Sequence, residues 1–371
     1  MTACVASDAP GLWKTRRLEY HAAGIPGACG EANVTRAVTC LASTDEAFRN
    51  INTSHLMRIL LVTPPSPNGP TGNDVTASRY ARLLRMLGAN VTIGHVYAGQ
   101  PCDLLIALHA RRSFQSIRRF RDGNPDAPMV VVLTGTDLYK DIKTSLAAQE
   151  SLEAATRLVV LQRLGVCELP AEFQNKTRVI YQSTSWNGTV VERPTSYFRV
   201  SLIANLRPEK DPLRAAAAAR LLPDSSRIRI VHAGYALDAD IEAQAINEST
   251  ENPRYTWLGG LPHWKARRLL AGSHLLALSS RIEGSSNALG EALVSGTPVV
   301  ASRIAGLVGT LGEDYPGYFP AGDTKALASL LLRAESEPKF YRRLKSACAR
   351  LKPLVAPERE SKAWKRLLAE L

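Results

Sequence analysis

The sequence predicts an α/β protein built from two doubly wound, Rossmann-like domains. Three observations carry this. From residue 58 onward, short apolar runs of strand length alternate with helical stretches, the pattern of parallel βαβ units. The alternation restarts after a non-periodic, Pro-containing stretch at 191–196, so there are two series of similar size. A chain of 371 residues with ordinary globular composition has room for two or three domains.

Residues 1–56 stand apart. They lack hydrophobic periodicity and hold three of the six cysteines. Their five basic and five acidic side chains cancel, so the whole net charge of +12 lies beyond them. The balancing acids are wrong for a transit peptide, and no apolar stretch suits a signal peptide. The expectation is a disordered or non-native extension, with the folded chain starting at Met57.

The first domain is expected over 57–193. Its strands fall at 58–62, 90–96, 103–108, 129–133, 157–160 and 178–181, with helices at 74–87, 113–122 and 144–155. The run after Met57 is apolar in the way of a first parallel strand buried on both faces. The second domain is expected over 194–354. Its strands fall at 198–204, 227–233, 255–258, 274–279 and 298–301. Its helices fall at 211–222, 238–247, 263–271, 287–295, 325–334 and 338–351. Asp211-Pro212 and Asn287 read as helix starts, and Gly296 as a helix stop. Residues 355–371 carry a last helix, from 357 onward.

The surplus of positive charge, with a pI near 9.6, calls for an anionic partner: nucleic acid, a membrane surface or a phosphorylated small molecule. The cationic residues are spread along the chain, and no nucleic-acid-binding motif accompanies them. The cysteines are scattered, with no CxxC and no His clusters, so neither a disulfide framework nor a zinc site is expected. No apolar run approaches the roughly 18 residues of a membrane span. The expected location is the cytoplasm, with no cofactor.

The richest stretch is SRIEGSSNALGEALVSGTPVVAS, residues 280–302. In an open parallel sheet, ligands bind beyond the carboxyl ends of the strands, and 281–286 lies there. Gly284, Ser285 and Ser286 let backbone N–H groups approach a ligand, and the helix starting at Asn287 favours an anion at its N-terminus. Glu283 in the turn and Glu291 one helical turn on are acceptors for sugar and ribose hydroxyls. Read blandly, Glu283 caps the helix and Glu291 is solvated. A second element, ANLRPEKDPLRAAAAARLL at 204–222, follows the first strand of the second domain. Arg207 and Lys210 there can clamp a diphosphate leaving group and offset its charge.

Three first-domain loops complete the candidates. The loop 61–74, with Gly72, is not GxGxxG and lacks an acid at dinucleotide spacing. His109, Arg111 and Arg112 lie beyond one strand end, and Gly135, Thr136 and Asp137 beyond another. Together they suggest an anion pocket on the acceptor side. Asp238 and Asp240 resemble a metal-holding acid pair but open a helix, where acids are favoured electrostatically. No metal site is expected.

At these residues the chain resembles a known family. Arg207, Lys210 and the Glu283-to-Glu291 element with SGTPVVAS look like the retaining GT-B glycosyltransferases of family 4, over about residues 57–371. The resemblance implies two domains facing across a cleft, with the C-terminal helix crossing back to the first. It implies that Glu291 binds ribose hydroxyls and that Glu283 faces the transferred sugar. It also implies that the Gly-Ser-Ser turn and Asn287 contact the donor, and that Arg207 and Lys210 bind its pyrophosphate. LHARRS, LTGTDLY, LRPEKDPLRAA, SRIEGSSNALGEAL and EDYPGYFPAGD are together similar to the selenosugar synthases of selenoneine biosynthesis. Such an enzyme joins a UDP-sugar, commonly UDP-N-acetylglucosamine, to selenophosphate. The first loop lacks the Gly-Gly pair common in the wider family.

The chemistry is coherent with that resemblance. Selenophosphate is small and highly charged, so it needs arginines rather than an apolar groove. Its selenium is strongly nucleophilic and needs no strong general base. Three alternatives stay open: a family 4 transferase with a glycan or lipid hydroxyl acceptor, a nicotinamide-dependent oxidoreductase, and a nucleic-acid-binding protein. The missing GxGxxG counts against the second, and the missing binding motif against the third.

Overall fold

A computed structural model describes residues 56–66, 69, 71–186, 188 and 191–371. The expectations for residues 1–55 lie outside the described residues. The first lobe holds a six-stranded sheet of order β2-β1-β3-β4-β5-β6. Its strands are β1 (Arg58–Val62), β2 (Asn90–Gly94), β3 (Leu104–Leu108), β4 (Met129–Leu133), β5 (Arg157–Val160) and β6 (Thr177–Val179). Every pairing is parallel. β3 and β4 are buried at every position, as strands covered on both faces must be.

The second lobe repeats the architecture with the order β12-β11-β10-β7-β8-β9. Here β7 is Phe198–Ile203, β8 Ile228–Ala233, β9 Tyr255–Trp257, β10 Leu275–Leu278, β11 Val299–Ser302 and β12 Tyr318–Phe319. The predicted doubly wound α/β class is the observed one. In each sheet the strand order reverses once, beside β1 in the first and beside β7 in the second. Loops leaving neighbouring strands diverge at such a reversal and open a crevice at their carboxyl ends.

The helices that matter for the site are α1 (Gly72–Met86), α2 (Arg214–Ala219), α3 (Ala239–Glu251), α4 (His263–Ala271), α5 (Asn287–Ser295), α6 (Ala305–Leu311) and α7 (Pro357–Leu368). α1 starts two residues before the predicted Asp74, because Thr71 and Asp74 form a capping box. α2 starts later than the predicted 211. Asp211 adopts the left-handed region at φ 43°, which ends the short 3₁₀ turn Pro208–Lys210. The alanines of α2 at 215, 216, 218 and 219 are fully buried and let the helix lie close against the sheet. Pattern reading missed α6 and β12, which are too short for a period to show.

α7 crosses back onto the first lobe. Trp364 is fully buried and meets the Tyr80 ring of α1 edge-on, with centroids 4.8 Å apart. Glu370 pairs with Arg157 and Arg178. Glu360 is buried, accepts from Ser183 N–H at 2.9 Å and faces Arg79 Nε at 3.4 Å. Among the described residues no helix is long and apolar enough to cross a membrane.

Candidate functional site

The two crevices share one cleft. Its walls include Gly72, His109, Arg112 and Gly135 from the first lobe, and Arg207, Lys210, Glu283 and Glu291 from the second. Gly284, Ser285, Ser286 and Asn287 line it as well. The loops after β7 and β10, the neighbours at the second reversal, bring Lys210 and Glu283 together although 73 residues separate them. Lys210 Nζ lies 2.5 Å from Glu283 Oε1, which also accepts from Ser280 Oγ at 2.7 Å. Ser279 Oγ holds the Lys210 carbonyl at 3.2 Å, and Arg281 N–H donates to the Glu209 carbonyl at 2.8 Å. Burial pushes the Lys210 ammonium below the ordinary lysine range, and neighbouring Glu283 opposes that shift. Arg207 Nε is buried and makes no hydrogen bond among the described residues. A cation pair therefore stands beside a small-residue turn, with one member already matched to a carboxylate.

The turn after β10 is tight because it touches the other lobe. A Cβ on Gly284 would lie 2.4 Å from the Thr134 carbonyl oxygen. A Cβ on Gly135, at φ +152°, would lie 3.2 Å from Gly284 N. Two glycines thus let the lobes meet backbone to backbone at the floor of the cleft. Ser286 then caps α5, its Oγ accepting from Leu289 N–H at 3.3 Å. Glu291 is only 6% exposed, so the reading of a solvated helix residue does not hold. It accepts from His263 Nε2 at 2.6 Å. The first helical residue, Asn287, accepts from Arg79 of α1 at 3.2 Å across the cleft.

On the first lobe the expectations divide. His109 takes a positive φ of 72°, rare for a residue with a side chain, and this turns its imidazole into the cleft wall. Arg112 N–H donates to Nδ1 at 3.3 Å, which places the ring proton on Nε2, 3.0 Å from Thr136 Oγ1. Burial lowers the pKa of His109, so the ring is neutral near pH 7. The Arg112 side chain makes no hydrogen bond or ion pair among the described residues.

Two expected residues are not brought to the cleft wall. Asp137 is fully buried, and its carboxylate accepts from the N–H groups of Ala110, Thr134 and Gly135 at 3.0, 2.9 and 2.8 Å. It ties the loops after β3 and β4 together and has no oxygen to spare for a ligand. Arg111 Nε instead pairs with Asp141 at 2.9 Å, so it holds a neighbouring helix rather than the cleft. Asp238 accepts from Ile241 N–H at 3.0 Å as the N-cap of α3, and Asp240 sits in the first turn of that helix.

Sequence reasoning missed three participants. His263 opens α4 just after β9, and its position beyond a strand end was the available signal. Tyr235, just beyond β8, lines the cleft from a similar position. Arg79 lies within α1 among other arginines, and nothing in the sequence marks it.

Comparison with known proteins places this geometry. Residues 190–350, most of the second lobe, match the family described as glycosyl transferases group 1. The chain is 29% identical over 205 residues to the amylovoran biosynthesis glycosyltransferase AmsK of Erwinia amylovora. The match takes in 52% of this chain and 49% of that protein, so it spans about half the length of this curated relative. The fold is similar to that of Anabaena HepE in complex with UDP and glucose, with a TM-score of 0.66, 16% identity and coverage of 85% of this chain and 100% of the other. It is also similar to sucrose-phosphate synthase from Thermosynechococcus elongatus, with a TM-score of 0.69, 15% identity and coverage of 85% and 98%. The two-lobed architecture is GT-B.

Proposed function

We propose that the protein transfers a sugar from a UDP-sugar bound on the second lobe to an anionic acceptor on the first, with UDP-N-acetylglucosamine as donor and selenophosphate as acceptor. One observation carries the reading: Arg207 and Lys210 meet the Gly-Ser-Ser turn at the reversal of the second sheet, while unpaired Arg112 lines the same cleft. The group 1 match and the UDP bound by a protein of similar fold support the donor side. The likeness of the loop sequences to selenosugar synthases supports the acceptor.

The residues divide the work. Glu291 takes the ribose hydroxyls, Glu283 faces the sugar, and the turn and helix start at 284–287 receive sugar and phosphate. Selenium attacks the anomeric carbon as the carbon–oxygen bond to the diphosphate breaks, and the electron pair leaves with UDP. Arg207 and Lys210 offset that charge where it develops. Arg112, with its planar fork, holds the phosphoryl oxygens and leaves selenium facing the donor. Neutral His109 beside it is a hydrogen-bonding group and not a second cation. The glycosyl selenophosphate then loses its phosphoryl group to water, which leaves the 1-selenosugar and phosphate.

The test is anaerobic incubation with UDP-N-acetylglucosamine and enzymatically made selenophosphate, with mass spectrometry for a selenium-bearing hexosamine. UDP release should require selenophosphate. Equal release without it, or better turnover with a glycan or lipid hydroxyl, would leave the rival reading, which the similarity to an amylovoran biosynthesis glycosyltransferase favours.

A further inference from the structure

The Glu291 carboxylate has one side-chain partner among the described residues, and it comes from a different helix. His263 is the first residue of α4, and its Nε2 lies 2.6 Å from Glu291 Oε1. Both residues line the cleft. Glu291 Oε2 makes no hydrogen bond among the described residues. Arg267, one turn further along α4, does not compete for the carboxylate. It donates to the Ser185 carbonyl and lies over the Trp186 ring.

From this geometry we infer that His263 is a positioning residue that presets Glu291 for the vicinal diol of the nucleotide ribose. The inference rests on the UDP-sugar reading above. A carboxylate on a flexible side chain must be fixed in one rotamer before it can take two hydroxyls at once, and that ordering opposes binding. The imidazole N–H fixes Oε1 beforehand. Each carboxylate oxygen has two acceptor sites, so Oε1 keeps His263 while it accepts one ribose hydroxyl and Oε2 accepts the other. His263 acts through Glu291. Its side chain is 56% exposed, so its removal leaves the core intact.

The test is calorimetric titration of the full chain with UDP and with its 2′,3′-dideoxy analogue. His263→Ala should weaken UDP roughly three- to tenfold, the range for a charge-assisted hydrogen bond at a partly exposed site. It should leave the affinity for the dideoxy analogue unchanged, because that ligand has no diol for Glu291 to hold. His263→Gln, whose amide donates in place of Nε2–H, should recover most of the loss. In turnover, KM for the UDP-sugar should rise by the same factor with kcat held. An equal loss on both ligands, or none on UDP, would overturn the inference. If the unaltered chain binds no UDP, the donor reading itself falls and takes the inference with it.

Discussion

The two lobes wind their sheets alike but equip their crevices in opposite ways. In the second lobe the carboxylates face the cleft and are already bonded there: Glu283 to Lys210 and Ser280, Glu291 to His263. In the first lobe the carboxylates turn away from it. Asp137 serves backbone N–H groups and Asp141 serves Arg111, so the cleft wall is left with Arg112 and neutral His109. One lobe offers acceptors for hydroxyls beside cations for a diphosphate. The other offers Arg112, with no paired carboxylate among the described residues, beside a neutral His109 whose Nε2 lies 3.8 Å from Asp141. That wall suits a small anion. On the proposed reading the same scaffold yields a donor wall and an acceptor wall through the direction in which its loops send their acids.

Substitutions that break this contrast should differ in size. The largest effect is expected from Lys210→Met, which removes leaving-group charge and strands buried Glu283. UDP-forming turnover should fall by about 10²–10³-fold, and breaking a buried ion pair should cost stability by up to about 3–5 kcal/mol in a denaturant melt. The alkaline limb of kcat/KM should also begin below the ordinary lysine range, because burial lowers the Lys210 pKa and its charge is lost early as pH rises. Stability runs the other way. The unfolded chain holds that proton to higher pH, so the penalty of burying the charge is relieved as pH rises through the folded-state value. Lys210→Arg should remove the alkaline limb, and its persistence would assign the limb elsewhere.

Next in size is Gly284→Ala, whose new Cβ meets the Thr134 carbonyl oxygen at 2.4 Å and forces the lobes apart. A shift of about 1 Å at the reacting groups lowers turnover by roughly 10²-fold, measurable as a kcat loss with the melting temperature nearly held. Glu291→Ala should weaken UDP by about tenfold or more through loss of charge-assisted hydrogen bonds to hydroxyls. Arg112→Ala should raise KM for selenophosphate roughly tenfold and leave UDP affinity alone. The smallest effect belongs to Arg111→Ala. Arg111 is half exposed and its partner Asp141 is buried away from the cleft wall, so acceptor saturation should survive its loss. A lost acceptor response in Arg111→Ala with a normal one in Arg112→Ala would reverse the assignment of the anion wall.

The same contrast explains what the sequence revealed. The alternation of strands and helices was readable because parallel strands buried on both faces are continuously apolar, as β3 and β4 are. The residues of the second-lobe turn were readable because strand, Gly-Ser-Ser turn and helix follow one another in the chain, and local order is what a sequence displays. Asp137 was misplaced because its partners, Ala110 and Gly135, lie on two loops whose approach only the sheet order dictates. Arg111 and Arg112 are adjacent and chemically alike, and the positive φ of His109 just before them is not written in residue type. His263 and Arg79 reach the site from other helices; the place of His263 beyond a strand end was the one hint of it, and nothing in the sequence marked Arg79.

The most direct test of this division is equilibrium titration of UDP into the full chain and into two variants, Glu291→Ala and Arg112→Ala. The account predicts that the unaltered chain binds UDP, that Glu291→Ala weakens it about tenfold or more, and that Arg112→Ala leaves it unchanged. No UDP binding by the unaltered chain, or binding lost with Arg112 and kept without Glu291, would contradict it.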